Sequence, residues 1–168
     1  MTEDAFAAAY ATFYPQVVRF LRGMLSGRGD PADVAQEVFL RLHACGPPVA
    51  SGTESETLRY WLFRVARNLA LNELRRVSVR DRLRAFIRIA AHDDDPHARL
   101  LRDEQRELVL AQLARLRPDH RAALLLCEWE EMTYDQIALT LGISVAKVKT
   151  DIFRARQALR AAMAEGRT

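Results

Sequence analysis

Lysine is almost absent from this chain: Lys147 and Lys149 are the only two, and every other basic residue is an arginine. Cysteine is as scarce. Cys45 and Cys127 lie far apart and outside any CxxC or Cys/His ligand spacing, which excludes a disulfide scaffold and reads as two unpaired structural thiols. No apolar run approaches the roughly 20 residues of a membrane span. The first residues, MTEDAFAAAY, open with acids where a secretory signal carries positive charge, so the expected compartment is the cytosol. No stretch bounded by turn residues alternates apolar and polar side chains, which leaves no strand pattern and predicts an all-α protein. Charge of one sign is also lacking. The 25 basic residues are nearly balanced by 22 acidic ones, so the net +3 marks no partner and the distribution has to decide.

What is present is helix-period apolar spacing almost throughout, with 49% hydrophobic residues, enough for packed cores. Strong punctuation falls at SGRGDP (26–31), CGPPVASGTES (45–55) and HDDDPH (92–97). The organisation expected from it is two small helical domains, 1–77 and 104–168, joined by a charged linker over 78–103. In that linker arginines alternate with aliphatics before the composition turns acidic.

The C-terminal unit carries the clearest pattern. Thr133 with Gln136 three residues on makes a capping-box start, and Ile137, Ala138 and Leu141 supply the apolar face of a short helix. Gly142 permits the left-handed backbone that ends it, Ser144 caps the next helix, and Val148, Ile152, Ala155 and Leu159 form that helix's inward stripe. Two helices so joined are a helix-turn-helix. Lys147, Lys149, Thr150, Arg154 and Arg156 fall outside the stripe, where a helix in the DNA major groove presents its side chains. An ordinary helical hairpin with a solvated basic face is the plainer alternative.

In the N-terminal unit a helix is capped by Asp30 with Pro31 at its first position, and buries Val34, Ala35, Val38 and Leu42. Asp33, Gln36, Glu37 and Arg41 lie away from that stripe, with Phe39 and Leu40 near its margins. A second helix, LRYWLFRVARNLALNELRR (58–76), is expected to bury Leu58, Leu62, Val65 and Leu69. Its other face carries Arg64, Arg67, Asn68, Asn72, Arg75 and Arg76, residue types that meet phosphates and base edges. Tyr60, Trp61 and Phe63 stand nearby as stacking or packing groups.

The order DVAQEVFLRL, then WLFRVARNLALNELRR, then a linker, then TYDQIALTLGISVAKVKTDIFRARQAL closely resembles bacterial RNA polymerase sigma factors of the extracytoplasmic-function group, within the sigma-70 family. The resemblance implies a two-domain factor that directs promoter-specific initiation, is no enzyme, and needs neither cofactor nor metal. It implies contacts with core RNA polymerase at Asp33, Gln36, Glu37, Phe39 and Arg41. It implies minus-ten DNA at Arg64, Arg67, Asn68, Asn72, Arg75 and Arg76 with the loop 46–57, and minus-thirty-five DNA at Ser144, Lys147, Lys149, Thr150, Arg154 and Arg156. Such factors are commonly held by an anti-sigma protein. Asp151 departs from the family pattern, since a carboxylate on that helix repels phosphate unless it is paired.

Two rival readings remain from the residues alone. An operator-binding regulator accounts for the helix-turn-helix but leaves the acidic helix and the Arg/Asn helix without a task. A metalloenzyme would have to use HDDDPH, which offers no pocket or nucleophile and reads more simply as a solvated acidic linker.

Overall fold

A computed structural model of the chain describes residues 2–46, 54–87 and 102–165, and every element in them is helical. α1 (Glu3–Leu25) starts at Thr2, whose hydroxyl accepts from the Ala5 amide at 3.3 Å, and places Glu3 and Asp4 at the positive end of the helix dipole. It buries Ala9, Phe13, Val17, Phe20, Leu21 and Met24 along one face, and runs through Pro15 without ending.

α2 (Pro31–Cys45) begins as expected, with Asp30 accepting from the Ala32 amide at 2.8 Å and Pro31 leading the first turn. α3 (Glu54–Ile87) is much longer than the reading over 58–76 suggested. It continues through the first ten residues of the expected linker, because nothing between Ser78 and Ile87 is a helix breaker. The loop residues 47–53 and the acidic run at 92–97 lie outside the described residues. α1, α2 and α3 pack on one another as a three-helix unit.

The second half comprises α4 (Arg102–Arg115), α5 (Pro118–Glu128), α6 (Tyr134–Leu141) and α7 (Val145–Glu165), with Pro118 breaking α4 from α5. The expected capping box is formed. Thr133 Oγ1 accepts from the Gln136 amide at 3.3 Å, and Gln136 Oε1 accepts from the Thr133 amide at 2.9 Å. Gly142 takes φ 67°, a left-handed value that spares the α6 C-terminus the Cβ clash of other residues. Ser144 then caps α7 by accepting from the Lys147 amide at 3.2 Å. Val148, Ile152 and Ala155 are buried, and Leu159 is half-buried against the same core. The result is a helix-turn-helix supported by α5.

The two halves do not stand apart. α1 packs on α4 and α5, and α3 packs on α6, so the buried side chains form one continuous cluster. Gly23 on α1 makes the approach feasible: a Cβ there would lie 2.7 Å from the Trp129 ring and 2.9 Å from the Leu125 methyls.

Candidate nucleic-acid interface

Three exposed helix faces carry the candidate residues. On α2, Asp33, Gln36, Glu37, Leu40 and Arg41 line one side, with Arg41 donating to Glu37 at 2.9 Å. Phe39 is not among them. It is 2% exposed, with its ring 4.9 Å from Tyr10, 5.8 Å from Tyr14 and 6.5 Å from Phe6. The correction has a plain cause: α1 supplies an aromatic wall that local periodicity along α2 did not show. Leu40, 63% exposed, takes the outward apolar position instead.

On α3 the buried residues are Leu62, Phe63, Ala66 and Ala70, while Leu58, Val65 and Leu69 are only half-buried. The stripe is turned from the expected one because α3 is covered by both α1 and α2 on one flank and by α6 on another. Phe63 stacks edge-on to Phe20 at 5.3 Å and is unavailable to a base. Asn68, Asn72, Arg75 and Arg76 are exposed along the outer face. Arg64 and Arg67 share that face but are already engaged. Arg64 donates to the carbonyls of Leu139 and Thr140, the latter at 2.9 Å, and Arg67 pairs with Asp119 at 2.5 Å. Beside them a cleft of about 710 Å³ is lined by Arg28, Arg67, Arg75, Arg117 and Arg121, with Asp119 the acid in its wall.

On α7, Lys149, Thr150, Arg154 and Arg156 are exposed, and Ser144 sits at the helix start. Thr150 returns its hydroxyl to the Ala146 carbonyl at 3.0 Å, and Arg156 is paired with Glu128 at 2.6 Å. Asp151 is 2% exposed and faces inward, accepting from Lys147 Nζ at 2.6 Å and lying 3.7 Å from His120 Nε2. The carboxylate that would have repelled phosphate therefore never reaches the outer surface, and it holds Lys147 partly neutralised. Phe153, 58% exposed, shares the outward side with Thr150 and Arg154. The burial around His120 lowers its pKa, with Arg117, Arg154 and Lys147 acting in the same direction and Asp151 opposing them.

These faces sit within two recognisable regions. The family model for sigma-70 region 2 matches residues 9–80, and that for sigma-70 region 4 matches residues 106–159. The ECF RNA polymerase sigma factor SigM of Bacillus subtilis is 30% identical over 156 residues, covering 90% of this chain and 91% of that protein. The chain belongs to the extracytoplasmic-function group of the sigma-70 family. The family consists of transcription-initiation factors, not enzymes. A second relative of this sigma factor, RNA polymerase sigma factor YlaC of Bacillus subtilis, is 28% identical over 172 residues, 98% of this chain and 95% of the other.

The solved sigma factor RpoE of Bartonella quintana, in complex with the anti-sigma factor NepR, superposes with a TM-score of 0.71 at 21% identity. The match covers 95% of this chain and 96% of that one, and it extends the likeness of fold to both halves of the sigma factor. No helix among its described residues is long and apolar enough to cross a membrane.

Sequence reasoning missed three sets of residues in this sigma factor. Leu40 was hidden by its position at the margin of an apolar stripe. Arg19, Arg59 and Glu130, which join the two halves, carry no local signal, because their partners are more than seventy residues away in the chain. Arg121, 3% exposed, donates to the carbonyls of Met24, Ala114 and Leu116 at the ends of α1 and α4. Burial and the nearby Arg28 push its pKa down to about 10. A cation aimed at helix C-termini meets the negative ends of two dipoles, which offsets part of its desolvation.

Proposed function

We propose that this sigma factor binds core RNA polymerase through the exposed side of α2 and selects promoters with two further faces. The outer side of α3 (Arg64, Arg67, Asn68, Asn72, Arg75 and Arg76) meets the minus-ten element. The outward side of α7 with its cap (Ser144, Lys147, Lys149, Thr150, Arg154 and Arg156) meets the minus-thirty-five duplex. The observation that carries this reading is that one chain matches sigma-70 region 2 over residues 9–80 and then sigma-70 region 4 over residues 106–159. A simple operator-binding regulator needs only the second.

On this reading the domain division falls at 1–77, 78–103 and 104–168, with α3 reaching ten residues into the linker. Asn68 and Asn72 stand one turn apart and exposed, placed to hydrogen-bond an unstacked base, while the neighbouring arginines neutralise phosphate. Capture of such a base repays an unstacking cost of a few kcal/mol, so no nucleotide hydrolysis is required and the factor has no catalytic activity. It acts in the cytoplasm, where polymerase is found. An anti-sigma protein is its expected regulator, as the Bartonella quintana factor is bound by NepR.

The deciding experiment is run-off transcription with purified bacterial core polymerase on the DNA upstream of the protein's own gene. A start site that appears only with the protein supports the reading. Loss of both transcript and core binding by gel filtration would replace it with the operator-binding regulator. Reversing charge at Asp33 and Glu37 should weaken core binding while leaving the far-ultraviolet circular dichroism unchanged; undiminished affinity would remove α2 as the docking face.

A further inference from the structure

Lys147 sits in the first turn of the helix whose outward side is assigned above to DNA, yet its ammonium turns back into the protein. Its Nζ donates to Asp151 Oδ2 at 2.6 Å, one turn further along α7. The lysine side chain is 49% exposed and that of Asp151 only 3%, so the pair straddles the surface with its negative end inside. The other carboxylate oxygen, Oδ1, lies 3.7 Å from Nε2 of His120 on α5, a side chain that is 13% exposed. That separation is too long for a hydrogen bond, and a neutral imidazole brings no charge to it. One buried carboxylate thus has two claimants, a lysine that holds it and a histidine just beyond reach of it.

We infer that Asp151 is a positioning residue that keeps Lys147 from the minus-thirty-five duplex, and that a protonated His120 releases the lysine by taking its place on the carboxylate. This inference rests on the proposed role of α7. Drawing Lys147 out to a phosphate leaves Asp151 as an unpaired charge in the interior, which is costly. A cation arriving from the inner side removes that cost. His120 is placed to be that cation: once protonated, it needs only a small movement of the ring to donate to Oδ1 in a charge-assisted hydrogen bond.

The surroundings of His120 set the direction. While Lys147 stays on Asp151, burial opposes the charged imidazole, Asp151 attracts it, and Arg117 at the start of α5 repels it together with Arg154 and Lys147 on α7. Of the other elements packed on α5, α1 spends Arg19 on Glu130 beyond the far end of that helix, and α6 places Asp135 beside Arg64. Departure of Lys147 removes one repulsion and leaves the carboxylate undivided, so His120 binds its proton more readily in the DNA-bound protein than in the free one. Reciprocity then requires protonation to strengthen DNA binding by the same factor. Affinity for a duplex therefore rises as pH falls through the range in which histidine titrates, from about 8 to about 5, and the gain is one added phosphate contact.

The test measures binding of a short labelled duplex of mixed sequence to the full chain by fluorescence anisotropy, over a series of low salt concentrations at about pH 8 and about pH 5.5. Mixed sequence suffices because a phosphate contact does not depend on the bases. His43, His92 and His97 also titrate, so the response is read as the difference between the parent and His120→Gln. The parent is expected to gain about fivefold more affinity than His120→Gln on acidification, the low end of ordinary coupling between two sites. Its slope of log affinity against log salt should steepen by about one. Asp151→Asn should bind more tightly than the parent at the higher pH and respond to pH no more than His120→Gln does. Lys147→Gln, at a half-exposed position, should lose more affinity at the lower pH than at the higher, and it decides the matter if a buried variant fails to fold.

Asp151→Asn binding no more tightly than the parent at the higher pH would make the carboxylate a packing group only and overturn the inference. A pH response that His120→Gln or Lys147→Gln keeps in full would overturn it as well. Arg154→Ala separates the two levels. If it weakens binding at both pH values while the other variants respond to pH as the parent does, the exchange at Asp151 is refuted and α7 remains the DNA face. If it changes nothing at either pH, α7 is not that face, and the reading on which the inference depends is removed.

Discussion

Asp151 stands on the same helix as Lys147, Lys149, Arg154 and Arg156, yet it belongs to the interior. Its carboxylate lies between Lys147 and His120, so a position that looked hostile to DNA contributes to the packing of α7 on α5. His120 is the group whose protonation this packing resists. Its folded pKa is lowered, so the unfolded chain binds the proton more readily. The corresponding stability is present above the ordinary histidine value of about 6.5 and is lost as pH falls through the lower folded value. Urea midpoints between pH 7.5 and 5 should fall more steeply for the parent than for His120→Gln, by at most about 1.4 kcal/mol per pH unit. Glu130, whose pKa burial raises, contributes with the opposite sign and cancels in that difference. On the outer side, Arg154→Ala should cost about 1–3 kcal/mol in binding a minus-thirty-five duplex and relax the preference at one base pair. Lys147→Ala should cost less, since its ammonium is already paired at 2.6 Å. Fluorescence anisotropy on matched and mismatched duplexes measures both.

At the scale of the element, the helix-turn-helix depends on a few local devices that fix its geometry before any long-range contact forms. The capping box at Thr133 satisfies two amide donors at the start of α6. Thr133→Ala should lower stability by about 1 kcal/mol in urea titrations followed by circular dichroism, with Thr133→Ser close to the parent. α3 illustrates the opposite dependence. Its length was underestimated because helix continuation past Arg76 needs only the absence of a breaker, and its buried stripe was misjudged because α1, α2 and α6 cover it from more than one direction. Phe39 on α2 repeats the lesson: a residue on the edge of an apolar stripe is buried or exposed according to what a neighbouring helix brings to it.

At the scale of the molecule, the contact of α1 with α5 turns on Gly23. Gly23→Val would drive its side chain into Trp129 and Leu125, an overpacking that costs about 1–3 kcal/mol when it cannot be relieved within a rigid core. Relief is available here by sliding the halves apart. The expected result is a lowered urea midpoint together with a larger radius of gyration by small-angle scattering; a lowered midpoint with unchanged dimensions would place the cost inside one half. The seam joins residues such as Arg19 and Glu130, or Arg64 and Thr140, that are far apart in the chain.

The sequence by itself determined the helical class, the caps at Asp30, Thr133 and Ser144, the turn at Gly142, and the outward basic face of α7. Each of these is set within one or two helical turns, where periodicity and capping chemistry act. The family followed from the order of several such local patterns. Only the tertiary structure decided that Phe39 and Phe63 are core, that Asp151 is turned inward, and that Arg64 and Arg67 are held by the second half. Those outcomes depend on which surfaces meet across the fold, and contacts between distant parts of a chain leave no period in its sequence.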